Sequence, residues 1–193
     1  GITFGVQYGY GNWSFDEARL ASQVGEPLAA SFTSNVHPGQ TLDLHAGYNI
    51  LGYGGLEFDV TATGWNITTS DRGGGGFVGG VASFSPFNFF LNHDRSWDAQ
   101  VLLGYAYGLV GQHQAESGGV FQWGLRGESS VSSNVSVGVA LRFFPPRFSS
   151  FILDYDNRDL PGEPIDLPQG SGGLFWMVGA QLGILIPVGG TPK

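Results

Sequence analysis

Apolar residues recur at every second position along most of this chain. Ile2, Phe4, Val6, Tyr8 and Tyr10 alternate with Thr3, Gly5, Gln7 and Gly9. Leu42, Leu44, Ala46 and Tyr48 alternate with Asp43, His45 and Gly47. The pattern returns over 56–63, 99–109, 121–126, 135–143 and 176–184. Successive side chains of a strand point to opposite faces, so each segment reads as a strand with one apolar face. An eighth strand is required over 77–85 (FVGGVASFS), where the alternation is poor. Helical spacing is confined to 14–24 (SFDEARLASQV), with Ser14 expected as N-cap and Glu17 completing a capping box.

Composition narrows the classes. The 193 residues are expected to form one domain, 1–193. Charged residues are 12% of the chain, about half the usual share of a globular domain, and 14% are aromatic. That content is too apolar for a disordered chain. No apolar run approaches the ~18 residues of a membrane helix. With no cysteine, disulfides and zinc–thiolate sites are excluded. A net charge of −8 gives no basic footprint for nucleic acid.

The connections are unequal. Those over 11–40 and 145–173 are long, and those near 49–54 and 130–134 are tight turns. Long loops on one side and short turns on the other characterise a bacterial outer-membrane barrel. The connection at 86–96 (PFNFFLNHDRS) is long for a periplasmic turn. One face of the strands carries Gly5, Gly9, Gly47, Gly104, Gly108, Gly124, Gly138, Gly179 and Gly183 with charges between them; the other is bulky. An eight-stranded barrel is just wide enough for side chains to fill. Glycines and a few charges fit such an interior and the bulky face overfills it, so the bulky face is assigned to lipid. Tyr10, Trp13, Trp65, Trp123, Phe143 and Trp176 are expected as an aromatic girdle at the long-loop rim. Phe4, Tyr48, Tyr53, Phe84 and Trp97 are expected as its counterpart at the short-turn rim.

Segments 41–66 (TLDLHAGYNILGYGGLEFDVTATGWN) and 120–144 (VFQWGLRGESSVSSNVSVGVALRFF) resemble the strand–turn–strand hairpins of the OmpA/OmpX-type eight-stranded outer-membrane barrels. The last strand is similar to the assembly signal of that superfamily at Gln181, Gly183, Ile186 and Val188. The superfamily usually ends this signal on an aromatic residue, a place taken here by Val188 with 189–193 following. The resemblance implies a closed antiparallel up-and-down transmembrane β-barrel of eight strands. It implies a bacterial outer-membrane location reached with a cleaved signal peptide, a monomer, and outer-membrane lipid and lipopolysaccharide as surroundings.

Chemical motifs are sparse. The run at 73–76 (GGGG) lacks the Gly-Lys-Ser/Thr of a phosphate loop. His37, His45, His93 and His113 show no metal-ligand spacing. His113, Glu116 and Ser117 gather types that outer-membrane lipid hydrolases and acyltransferases use, but such a site is recognised by geometry rather than spacing. Asp154, Asp156 and Asp159 lie in the last long loop without the glycine and terminal glutamate of an EF-hand, and are candidates for binding at the surface rather than metal ligands. No catalytic residue, metal or cofactor is assigned.

The charges expected in the lumen are the most informative set. Glu57, Asp59, Asp43, Asp98 and Glu128 are expected to face Arg126, Arg142 and His45. A buried guanidinium needs a partner, so Glu57, Asp59, Arg126, Glu128 and Arg142 form the expected ion-pair network. Such a network either fills and stiffens the barrel or lines a narrow cation-preferring pore. The leading functional expectation is a non-enzymatic structural or surface-interaction role, with a surface partner met through loops 11–40 and 145–173. A pore or small-solute or lipid transporter is the alternative, and a lipid-modifying enzyme the third.

Overall fold

The computed structural model describes residues 1–50, 52–65, 73–91, 96–153 and 162–188. In chain order the elements are β1 (Ile2–Phe15), α1 (Glu17–Val24), α2 (Glu26–Asn35), β2 (Gly39–Ile50), β3 (Gly54–Trp65), β4 (Gly73–Phe84), α3 (Pro86–Leu91), β5 (Trp97–Gly111), β6 (Ala115–Ser130), β7 (Val135–Phe144), β8 (Ser150–Ile152), β9 (Pro164–Asp166) and β10 (Gly173–Ile186). Pairing runs β5-β4-β3-β2-β1-β10-β7-β6, and β6 returns to β5. Eight antiparallel strands therefore close on themselves, which removes the sheet edges that would otherwise need covering.

The alternation decides which side faces what. Phe4, Tyr8, Leu44, Phe58, Leu103, Tyr105, Leu125 and Val139 are all exposed on the outside. Between them Gln7, Asp43, Asp59, Thr61, Gln122, Arg126 and Arg142 are buried inside. A barrel that is apolar outside and polar inside is a transmembrane barrel, because lipid takes the place of water around it. Glycine is required where the lumen is crowded. A side chain on Gly5 would collide with the imidazole of His45 on the neighbouring strand.

Several sequence expectations are corrected in detail. The first helix starts at Glu17, and its cap is Asp16, whose Oδ1 accepts from the Arg19 N–H at 3.1 Å. Ser14 belongs instead to β1, which continues past Tyr10 because its outer end is covered by the loops. A second helix, α2, follows; its apolar positions are few, so the helical spacing was faint. The poorly alternating strand runs 73–84 and includes the glycine run, which pairs with β3 and β5. The long connection at the short-turn end holds α3.

The described part of the last long connection is paired into the sheet. Trp123 pairs with Phe143, Val120 bridges Pro146, and Ser117 pairs with Ser150. β8 therefore continues the line of β7 across an interruption at Pro145 and Pro146, where proline cannot donate to the ladder. β9 pairs back on β8.

Candidate functional site

The interior is built in layers. Nearest the short turns, Arg126 of β6 donates two hydrogen bonds of 2.7 Å to Glu57 of β3 and one of 3.2 Å to Gln100. Glu128 accepts from Gln181 at 2.6 Å and from Ser136 at 3.2 Å. Asp98 accepts from Ser85 at 2.7 Å and Gln100 at 2.8 Å. One layer further, Arg142 of β7 reaches Asp43 at 2.6 Å and Asp59 at 2.5 Å and also donates to Gln122. His45 Nδ1 stands 3.1 Å from Asp43, and Thr61 donates to the same carboxylate at 2.7 Å. Each guanidinium thus reaches at least one carboxylate on a strand that is not its neighbour, Glu57 on β3 for Arg126 and Asp43 on β2 and Asp59 on β3 for Arg142, so the lumen is cross-braced.

The candidate residues Glu57, Asp59, Arg126, Glu128 and Arg142 all line this interior, in two clusters rather than one. Arg126 serves Glu57 and stands 3.9 Å from Glu128, while Arg142 serves Asp59 and Asp43. Gln100, Gln122 and Gln181 were missed as members, and Gln7, buried beside them, donates to the Ala140 carbonyl at 3.1 Å. Their signal was available: each is a polar residue on the glycine-bearing face of its strand. Among the described residues no group of His, Asp and Glu is arranged to hold a metal ion.

Above Arg142 the lumen turns aromatic. The guanidinium stands 5.1 Å over the Phe144 ring. Phe144 stacks on Phe77 at 4.5 Å, and Trp13 stacks on Phe175 at 4.2 Å. Trp13 and Trp65 are buried in this layer, which corrects their placement in the outer girdle. A period of two reports parity only; both residues fall on the inner face of their strands. Trp123 and Phe143 do stack outside, at 4.2 Å.

At the top the described parts of the two long connections pack together. Arg19 and Gln23 of α1 donate to the carbonyls of Gln169 and Gly170, and Gln23 accepts from the Gln169 N–H at 3.1 Å. Phe32 of α2 packs edge-on against Phe151 of β8 at 5.6 Å. Exposed Asp16, Glu17, Glu26, Glu163 and Asp166 leave this cap acidic beside Arg19 and Arg147. Asp154, Asp156 and Asp159, like His93, lie outside the described residues. At the base of the cap Glu116 is fully buried while His113 is exposed, and the Ser117 hydroxyl receives a 3.2 Å hydrogen bond from Tyr107. Burial pushes the Glu116 carboxyl up to about 8. Glu116 is three residues beyond Gly119, the partner of Tyr107, whose ring is the last exposed aromatic of β5. Among the described residues the opposite end is open. A cavity of about 600 Å³ enters from the short turns and is lined by His45, Glu57, Asp98, Arg126 and Glu128 among others.

No family model and no curated protein matches this sequence. Solved structures match it almost end to end. Neisserial surface protein A is 11% identical, with a TM-score of 0.51 over 95% of this chain and 98% of that one. The outer membrane protein OprG from Pseudomonas aeruginosa is 8% identical, with a TM-score of 0.52 over 94% of each chain. At such identities the likeness is one of fold: this chain has the fold of the eight-stranded outer-membrane barrels.

Proposed function

We propose that this chain is a monomeric integral barrel of a bacterial outer membrane with a non-enzymatic role in surface interaction, exercised through its cap. The short turns then face the periplasm and the cap faces outward. One observation carries the reading: the described parts of the two long connections pack together, held by Arg19, Gln23 and Phe32, over an aromatic layer that fills the lumen beneath them. A chain built for passage would leave that end open. The acidic surface of the cap suits a cationic partner, or lipopolysaccharide bridged by divalent cations, and loops are where a rigid barrel carries recognition.

The experiment is a pair of measurements on the folded protein. Reconstituted into a planar bilayer it passes no steady current, and on cells or vesicles it binds cationic ligands in a manner that weakens as salt screens the charges. A narrow cation-preferring pore is the second reading, favoured by the 600 Å³ cavity and its carboxylates. Steady cation-selective conductance in the bilayer establishes that reading in place of the first.

A further inference from the structure

The lipid-facing wall is not uniformly bulky. Near the short-turn end its outward residues shrink to Ala99 on β5 and Gly127 on β6, which are paired across the ladder. One level towards the cap stand Val101 and Leu125, also paired. Val139, paired with Gly127, borders the recess on the far side. On the near side Phe87 of α3 closes it, its ring 5.4 Å from that of Trp97. The result is an apolar groove of about 470 Å³, continuous with the exposed apolar belt. Among the described residues nothing projects into it at Gly127: a Cβ there would meet no atom within 4 Å.

We infer that this groove is a binding site for one acyl chain of a phospholipid in the periplasmic leaflet. The inference rests on the membrane reading above and adds to it a fixed lipid position. Continuity decides the occupant. The groove opens onto the surface that lipid already covers, and its walls are almost wholly apolar, so a hydrocarbon chain fills it without stranding a polar group. An acyl chain seated there gains contact on several sides, where one lying on the outer belt gains it on one. The exposed ring of Phe90 and the half-exposed ring of Trp97 bracket α3 at the end of the strands, the depth at which aromatic residues meet headgroups. The long connection at 86–96 thereby has a use: α3 supplies one wall of the site.

The test is native mass spectrometry. Protein reconstituted into vesicles of phosphatidylethanolamine and phosphatidylglycerol is extracted in mild detergent, and retained phospholipid is counted. The wild-type barrel is expected to hold one phospholipid. Gly127→Leu fills the groove and is expected to cut that retention about tenfold, the loss of contact with a few methylene groups. Ala99→Leu fills the same recess from β5 and replaces it if Gly127→Leu fails to fold. Ala62→Leu, exposed on β3, is the control and keeps wild-type retention. Equal retention in all three overturns the site, as does equal loss in the Ala62 variant, which would mark generic lipid. A wild-type dimer free of phospholipid, broken by Gly127→Leu, assigns the groove to a second copy and overturns it too. A barrel that does not enter vesicles at all fails the membrane reading itself, before any retention is measured.

Discussion

Arg126 and Glu57 meet across the lumen through two hydrogen bonds of 2.7 Å, one from each terminal nitrogen of the guanidinium to its own carboxylate oxygen. β6 and β3 are separated in the sheet by β5 and β4, so the fork ties together strands that share no ladder. A two-pronged pair of this kind fixes both side chains in orientation as well as in distance.

Breaking the fork from one side is expected to cost far more than removing both partners. Glu57→Ala leaves the guanidinium with Gln100 at 3.2 Å and the Glu128 carboxylate at 3.9 Å. An uncompensated buried charge costs about 3 kcal/mol. Glu57→Leu combined with Arg126→Met places apolar groups where both charges stood, and should recover most of that loss. Urea unfolding in detergent, followed by tryptophan fluorescence, compares the variants. A double variant no more stable than the single one would show that the pair itself, and not the stranded charge, sets the stability.

Sidedness is tested on adjacent residues of β7. Val137 is exposed on the lipid side, while Ser136 points inward and donates to Glu128 at 3.2 Å. Val137→Arg is expected to lower stability by about 1 kcal/mol, because Val137 stands two residues from the short-turn end of β7, close to the interface, where arginine on the lipid face costs less than at the midplane. Ser136→Leu should instead disturb the lumen by displacing the Glu128 carboxylate. Titration of both variants in vesicles settles the matter, and a Val137→Arg barrel as stable as wild type would invert inside and outside.

Glu116 makes the cap sensitive to pH. On the ladder it is paired with Val110 of β5 and Phe151 of β8, and the Ser171 hydroxyl faces it without closing a hydrogen bond of ordinary length. Burial raises its carboxyl from 4.5 to about 8, so it is neutral in the docked cap at pH 6. The sign follows from linkage: the contribution is fully present below about 4.5 and is lost as pH rises through about 8. Amide protection of 148–152, corrected for intrinsic exchange, should therefore fall between pH 6 and pH 9. Glu116→Gln should flatten that dependence. Equal pH sensitivity in both proteins would place the titrating group elsewhere.

The barrel was legible because each lumen or lipid position follows from parity. Gln7 and Tyr8 differ by one residue and by the whole thickness of the wall. Parity also put Arg126 and Arg142 inside, but not their partners, since pairing across a lumen depends on stagger and no local pattern carries that. The cap was partly legible. Loops 11–40 and 145–173 leave from neighbouring strands, so their contact followed from closure alone. What stayed hidden was their internal order. α2 has no continuous apolar stripe, and β8 follows two prolines that break the alternation of β7. Trp13 and Trp65 misled because their type suits a membrane interface, whereas their parity points them into the lumen.

The cap can be undocked without dismantling the barrel. Phe32 is fully buried and lies edge-on to Phe15 at 5.0 Å and Phe151 at 5.6 Å, so it joins α2 to β1 and β8 at once. Phe32→Ala removes both contacts and leaves a cavity that short helices cannot easily close, at a cost of about 3–5 kcal/mol. That loss falls on the junction, because the eight strands keep their ladders and the Arg126 and Arg142 braces below. The variant should still migrate differently on gels with and without boiling, as a folded membrane barrel does. Protease added outside intact vesicles should cut within 17–35 in the variant and leave the wild type whole. Binding of a cationic ligand should weaken in step with that cleavage, since the acidic residues of α1 and of 163–166 would no longer share one surface. A variant that loses the heat-dependent shift would mean that the cap folds with the barrel as one unit. A variant that is cut as expected but binds as before would remove the cap from the function and return attention to the open lumen.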